Sequence, residues 1–151
     1  VWEREGQGWR LAWDARREPF PVLIGGSDWA SELTELEARS LAAGLITLME
    51  QHSSLANTLM EEELVALEFS ASLAPDSAAV EATLWLSLEG DRADWSLRLL
   101  LQPSPGLRGL EGSWERGAAA PFAKAFAQLI AALDPQQRVA PRPLDPAAGG
   151  E

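Results

Sequence analysis

Leu41, Leu45, Leu48, His52, Leu55 and Leu59 recur at spacings that alternate between four and three residues. That is the period of one face of an α-helix, not of a strand. Ala38, Ala42 and Met49 flank the stripe. Its start is marked by Thr34-Glu35-Leu36-Glu37, which spells a capping box. In that motif the Thr hydroxyl accepts one free backbone N–H, and the Glu carboxylate accepts another in return. Carboxylates at 35 and 37 also suit the positive end of the helix dipole. The stretch "HSSLANT" lowers helix propensity and places the helix end between 52 and 60. A long helix set between segments of strand period restricts the chain to folds that mix sheet and helix.

On the N-terminal side, Trp9, Leu11 and Trp13 alternate with Arg10, Ala12 and Asp14, the pattern of a strand with one apolar face. "DARREPFP" follows as a loop, and Val22-Leu23-Ile24 reads as a short strand. Gly25-Gly26 with Ser27-Asp28 predicts a hairpin turn, because turns with positive φ favour Gly, Asn and Asp. Trp29, Ser31 and Leu33 continue the alternation into a third strand. Beyond the helix, "EEELVALEFSASL" returns to strand period, with Leu67, Phe69 and Ala71 on one side, and "APDSAA" is a loop. "EATLWLSLEG" and "DWSLRLLLQ" are two strands around a turn at Gly90-Asp91. "PSPG" breaks the chain, Leu107 to Trp114 is a Gly-punctuated strand, and "AAAPFAKAFAQLIAAL" is a second helix with Phe122, Phe126, Leu129, Ile130 and Leu133 on its apolar side. The order is three strands, a helix, four strands and a helix, which predicts antiparallel sheet in an α+β fold. Residues 1–133 read as one domain, and the Pro- and Ala-rich segment 134–151 as a disordered tail.

The chain has no Cys, so disulfides and thiolate chemistry are excluded. No run approaches the roughly 20 apolar residues of a membrane helix, and "VWEREGQGWR" lacks the apolar segment of a signal peptide. The start at Val1 reads as a trimmed one, and a cytoplasmic location is the expectation. Net charge is −11. Such a surface repels nucleic acid and anionic membrane at long range unless a local basic patch defeats it.

His52 is the single His, and it falls inside the apolar stripe, where a helix-edge or interface role fits better than catalysis. One His and no Cys also remove the usual transition-metal ligand sets. No G-x-S-x-G, Walker loop or G-x-G-x-x-G occurs. Gly6-x-Gly8 and Gly109-x-x-Gly112 are fragments that glycines in and between strands explain. Asp91 and Asp94 read as turn formers rather than Mg²⁺ ligands. No carboxylate is singled out as an acid or base, so the expectation is a protein without enzymatic activity and without a cofactor.

The 7 tryptophans are the richest feature. Trp can stack on single-stranded bases or anchor a protein interface. Core packing accounts for Trp9, Trp13, Trp29 and Trp95, which lie on apolar faces. Trp2, Trp85 and Trp114 are less determined, and Trp85 opposes Leu84, Leu86 and Leu88 on its strand. Arg4, Arg10, Arg16 and Arg17 form the basic cluster; a solvated loop fits them better than a phosphate site. The surface binding candidates are Arg10, Arg16, Arg17, Trp85 and Trp114.

"EGQGWRLAWDARREPFPVLIGGSDWASELTELE", Glu5 to Glu37, resembles the opening signature of a domain-of-unknown-function family found mainly in cyanobacteria. "LMEEELVALEFSA", "LWLSLEG", "WSLRLLLQ" and "RGLEGSW" follow in that family's order, so the resemblance spans roughly residues 3 to 130. It implies an α+β fold similar to the single-stranded-DNA-binding transcriptional regulators of the whirly type, against which the strand reading above is one strand short in the first half. It implies no catalytic or binding residue. The leading expectation is a small interaction or regulatory protein with a protein partner or a homo-oligomeric state. Single-stranded nucleic-acid binding is the alternative, disfavoured by charge, and a small-ligand domain is a third.

Overall fold

Thr34 caps the first helix as its sequence requires. Its hydroxyl accepts Glu37 N–H at 3.2 Å, and Glu37 Oε1 accepts Thr34 N–H at 2.8 Å. A cap of this kind contributes about 1 kcal/mol. In the computed structural model, which describes residues 1–73, 82–102 and 109–133, this helix joins two sheets. The strands β1 (Trp2–Gly6), β2 (Trp9–Trp13), β3 (Val22–Gly25) and β4 (Ala30–Leu33) precede α1 (Glu35–Ala56). Then come β5 (Val65–Leu73), β6 (Ala82–Gly90), β7 (Trp95–Gln102), β8 (Leu110–Trp114) and α2 (Ala119–Leu133). Each set of four strands is an antiparallel meander in chain order. The architecture is α+β.

The strand absent from the sequence reading is β1. Its sequence, WEREG, is charged at three positions and carries no apolar alternation, and Trp2 alone in it is half-buried. Pairing to β2 makes it a strand: Trp2 lies opposite Trp13, and Gly6 opposite Trp9. The intervening turn places Gly8 at φ 84°, where a side chain would be strained. The segments "APDSAA" and "PSPG" and the tail 134–151 lie outside the described residues, and the strand expected from Leu107 is described from Leu110 to Trp114.

One apolar cluster joins both sheets and both helices. α1 packs on β5 and β6, α2 packs on β1, β2 and β7, and the helices touch each other. Ala38, Leu41, Ala42, Leu45, Leu48 and His52 form the buried face of α1, close to the predicted stripe, while Leu55 lies at its exposed end. Gly44 lets α1 approach the sheet closely: a Cβ there would come within 2.6 Å of Leu86 and of Phe69. Phe122 of α2 is fully buried and stacks on Trp114 at 4.1 Å between ring centroids, with Trp9 and Phe126 against its other sides.

Two tryptophans lock the sheets to each other. Trp29, in the β3–β4 turn, donates its indole N–H to Ser113 O of β8 at 2.9 Å. Trp114 of β8 donates its own to Gly25 O of β3, also at 2.9 Å. The two rings meet edge-on at 5.1 Å. The hairpin expected at Gly25-Gly26 is present, with Gly26 N–H donating to Trp29 O at 3.0 Å. The reason for its glycines is different from the one the sequence suggested, because neither takes a positive φ. A Cβ on Gly26 would collide with the Trp29 indole and lie 2.8 Å from Ser113 O. On β8, a Cβ at Gly112 would lie 2.5 Å from the Trp29 ring. Glycine is required at both places because an indole occupies the space.

Gly112→Ala is therefore expected to destabilise the fold by about 1–3 kcal/mol, the usual cost of overpacking a tight core. Denaturant unfolding checks this, and an unchanged midpoint would contradict the packing described.

Candidate functional site

The outward residues of the first sheet fall into rows. Glu3, Ala12, Leu23 and Glu32 lie side by side across β1 to β4, and Glu5, Arg10, Gly25 and Ala30 form the next row. On this face lies an open concavity of about 530 Å³ lined by Glu3, Arg4, Glu5, Arg10, Leu11, Ala12, Arg17 and Leu23. Arg17 reaches it from the β2–β3 loop and forms an ion pair with Glu32. Arg10 is exposed on β2, and no ion pair joins it to another described residue.

The structure brings Arg10 and Arg17 together and separates the other candidates from them. Arg16 is turned to solvent, with its side chain 82% exposed, and grips Asp14 through Nε at 3.2 Å and its backbone N–H at 3.0 Å. These bonds hold the Asp14 carboxyl below its usual pKa and the Arg16 guanidinium above its own. Arg4 also lines the concavity, but its guanidinium is engaged elsewhere: it bonds Gln128 of α2 at 2.8 Å and lies over Trp2.

Trp85 sits half-buried on the outer face of the second sheet, in a row with Ser70, Leu100 and Glu111. The Arg98 guanidinium lies over its ring at 5.8 Å and 3.6 Å from Glu111. Trp114 is no surface residue. It is 1% exposed, because its strand position faces Phe122 and its N–H is taken by Gly25. Apart from Arg10 and Arg17, the candidates thus lie in different parts of the molecule, and among the described residues no exposed face joins the tryptophans to the arginines.

His52 is buried and donates Nε2–H to Asp91 O at 2.8 Å beside Trp95, which ties α1 to the β6–β7 turn. Asp91 makes that turn: its Oδ1 accepts the N–H groups of Ala93 at 2.8 Å and Asp94 at 3.0 Å. Those backbone bonds, with Arg116 nearby, hold its pKa below the usual value. Among the described residues no group of three or more His, Asp or Glu side chains is placed to hold a metal, and no helix is long and apolar enough to cross a membrane.

Sequence reasoning missed Glu3, Glu5 and Leu23 as neighbours of Arg10 in the concavity, and Glu32 as the partner of Arg17. The acids of "WEREG" could be placed beside it only once that segment was known to pair with β2.

Two four-stranded antiparallel sheets, each followed in sequence by a helix, define an α+β domain. The chain belongs to the family described as domain of unknown function DUF1818, which matches residues 4–129. It is similar to a crystal structure from the cyanobacterium Prochlorococcus sp. NATL2A, described as a protein with unknown function from the DUF155 family. The two share 31% identity with a TM-score of 0.72, over 85% of this chain and 98% of the other. No curated protein matches the chain.

Arg16→Ala should raise the Asp14 midpoint toward the ordinary aspartate range in a carboxyl-detected NMR titration. A carboxylate whose folded pKa is depressed stabilises the fold above its unfolded pKa and loses that contribution as pH falls through the folded value. The stability difference between wild type and Arg16→Ala is therefore expected to narrow below about pH 4. An Asp14 midpoint unmoved by the substitution would contradict the pairing.

Proposed function

We propose that this chain is a non-enzymatic protein-interaction module that presents the outer face of its first sheet to a partner. One observation carries the reading: the concavity combines an apolar floor, Ala12 and Leu23, with walls of both charge signs, Glu3 and Glu5 against Arg10 and Arg17. Mixed charge around an apolar centre suits a protein surface, whose rim is polar and whose contacts are both donors and acceptors. A phosphate backbone would call for a basic face instead.

A second reading is single-stranded nucleic-acid binding, in the manner of the whirly-type regulators. It draws on the order of four strands and a helix, repeated. The net charge of −11 opposes it, as does the ion pairing of Arg16 and Arg17.

Immobilised full-length chain is expected to capture the same protein repeatedly from native lysate. Arg10→Glu should lose that protein while melting at the wild-type temperature, because Arg10 is exposed. Capture unaffected by Arg10→Glu would contradict the assignment of this face, and turnover of a metabolite by the purified chain would overturn the non-enzymatic reading. Titration with oligo-dT at low salt separates the alternative. Unchanged Trp fluorescence ends it, and quenching with a steep salt dependence would replace the first reading with it.

A further inference from the structure

Three of the four sheet edges are short or covered. β1 and β4 have five and four residues, and β1 carries Glu3, Arg4 and Glu5. β8 has five residues and is overlaid by the β3–β4 turn through Trp29. β5 is different. It runs nine residues, Val65–Leu73, at the edge of the second sheet, with an unbroken register to β6. It has no Pro and no bulge, and Glu68 is its single charge. Among the described residues, no turn, loop or side-chain hydrogen bond reaches its backbone, so its outward N–H and C=O groups have no partner there. Proteins ordinarily blunt such edges with charge, Pro, bulges or brevity. The apolar residues Val65, Leu67 and Phe69 on its inner face are only half-buried.

We propose that β5 is a self-pairing edge, at which a second copy of this chain adds its own β5 antiparallel, centred on Phe69, so that the two second sheets become one continuous sheet. The sequence is complementary to itself about that centre. Val65 meets Leu73, Leu67 meets Ala71 and Phe69 meets its counterpart, all on the inner face. On the outer face Ala66 meets Ser72, and Glu68 meets Ser70. No like charges lie opposite each other in this register, whereas a centre at Glu68 would set carboxylate against carboxylate. The Phe69 centre also pairs the whole strand, leaving none of its outward backbone groups unsatisfied. This pairing is independent of what the first sheet binds.

Ser70 is exposed, so it can be changed without disturbing the core. The test is sedimentation equilibrium of the full chain at physiological salt for wild type, Ser70→Glu and Ser70→Lys, with circular dichroism to verify folding. Wild type should be a dimer. Ser70→Glu sets a second carboxylate opposite Glu68 twice per dimer and should weaken association at least tenfold. Ser70→Lys sets an opposite charge there and should dimerise at least as tightly as wild type. A monomeric wild type overturns the proposal and leaves the edge to an unrelated strand. A Ser70→Glu variant that dimerises like wild type, or a Ser70→Lys variant weakened as much as Ser70→Glu, also overturns it.

Discussion

The two indole N–H groups of Trp29 and Trp114 reach across from opposite sheets, each to a backbone carbonyl of the other. Each bond fixes a strand position rather than a side chain. The exchange therefore sets where the β3–β4 hairpin stands on β8, and with it the angle between the sheets. Phe122 stacks on the back of Trp114, so α2 is referenced to the same pair of rings. Edge-on aromatic contact adds about 0.5–1.5 kcal/mol beyond area burial. The Trp114 bond to Gly25 O is buried, and a buried carbonyl deprived of its donor costs about 1–3 kcal/mol, whereas the Trp29 bond to Ser113 O is exposed and its loss is softened by water. The interlock thus commits both its rings and its backbone partners to one arrangement.

That arrangement determines which surfaces remain open. Covering β8 with the hairpin leaves β5 as the long free edge of the second sheet. Turning the inner faces toward the helices leaves Glu3, Glu5, Arg10 and Leu23 outward on the first sheet. The acidic surface is also locally balanced there, since Arg17 lies against Glu32. The features offered for binding are consequences of the way the sheets are joined, not additions to it.

Much of this was legible in the sequence, for identifiable reasons. Regular periods were readable: the α1 stripe from Leu41 to His52, its Thr34 cap, the Leu84-Leu86-Leu88 face and the apolar side of α2 lie where their spacing places them, while Leu55 is exposed and Leu59 falls beyond the helix end. The α+β class followed from the order of those elements. Properties that depend on partners were not readable. β1 has no pattern of its own and exists through pairing. Trp114 read as undetermined because strand alternation cannot say which face a short Gly-containing strand buries. Gly26 and Gly112 signalled turns and breaks, but their function is to admit an indole, which requires a contact between positions 84 residues apart, Trp29 and Ser113. The candidate site suffered most, since its arginines and acids come from separate strands and a loop.

The most direct measurement of the interlock is a double-mutant cycle between Trp29→Phe and Trp114→Phe, followed by denaturant unfolding. Each substitution keeps an aromatic ring and removes one N–H donor. If the rings and their carbonyl partners form one unit, the double variant should lose less stability than the sum of the single losses, with a coupling of about 0.5–3 kcal/mol. Losses that add to within about 0.3–0.5 kcal/mol would show two independent contacts and contradict the account.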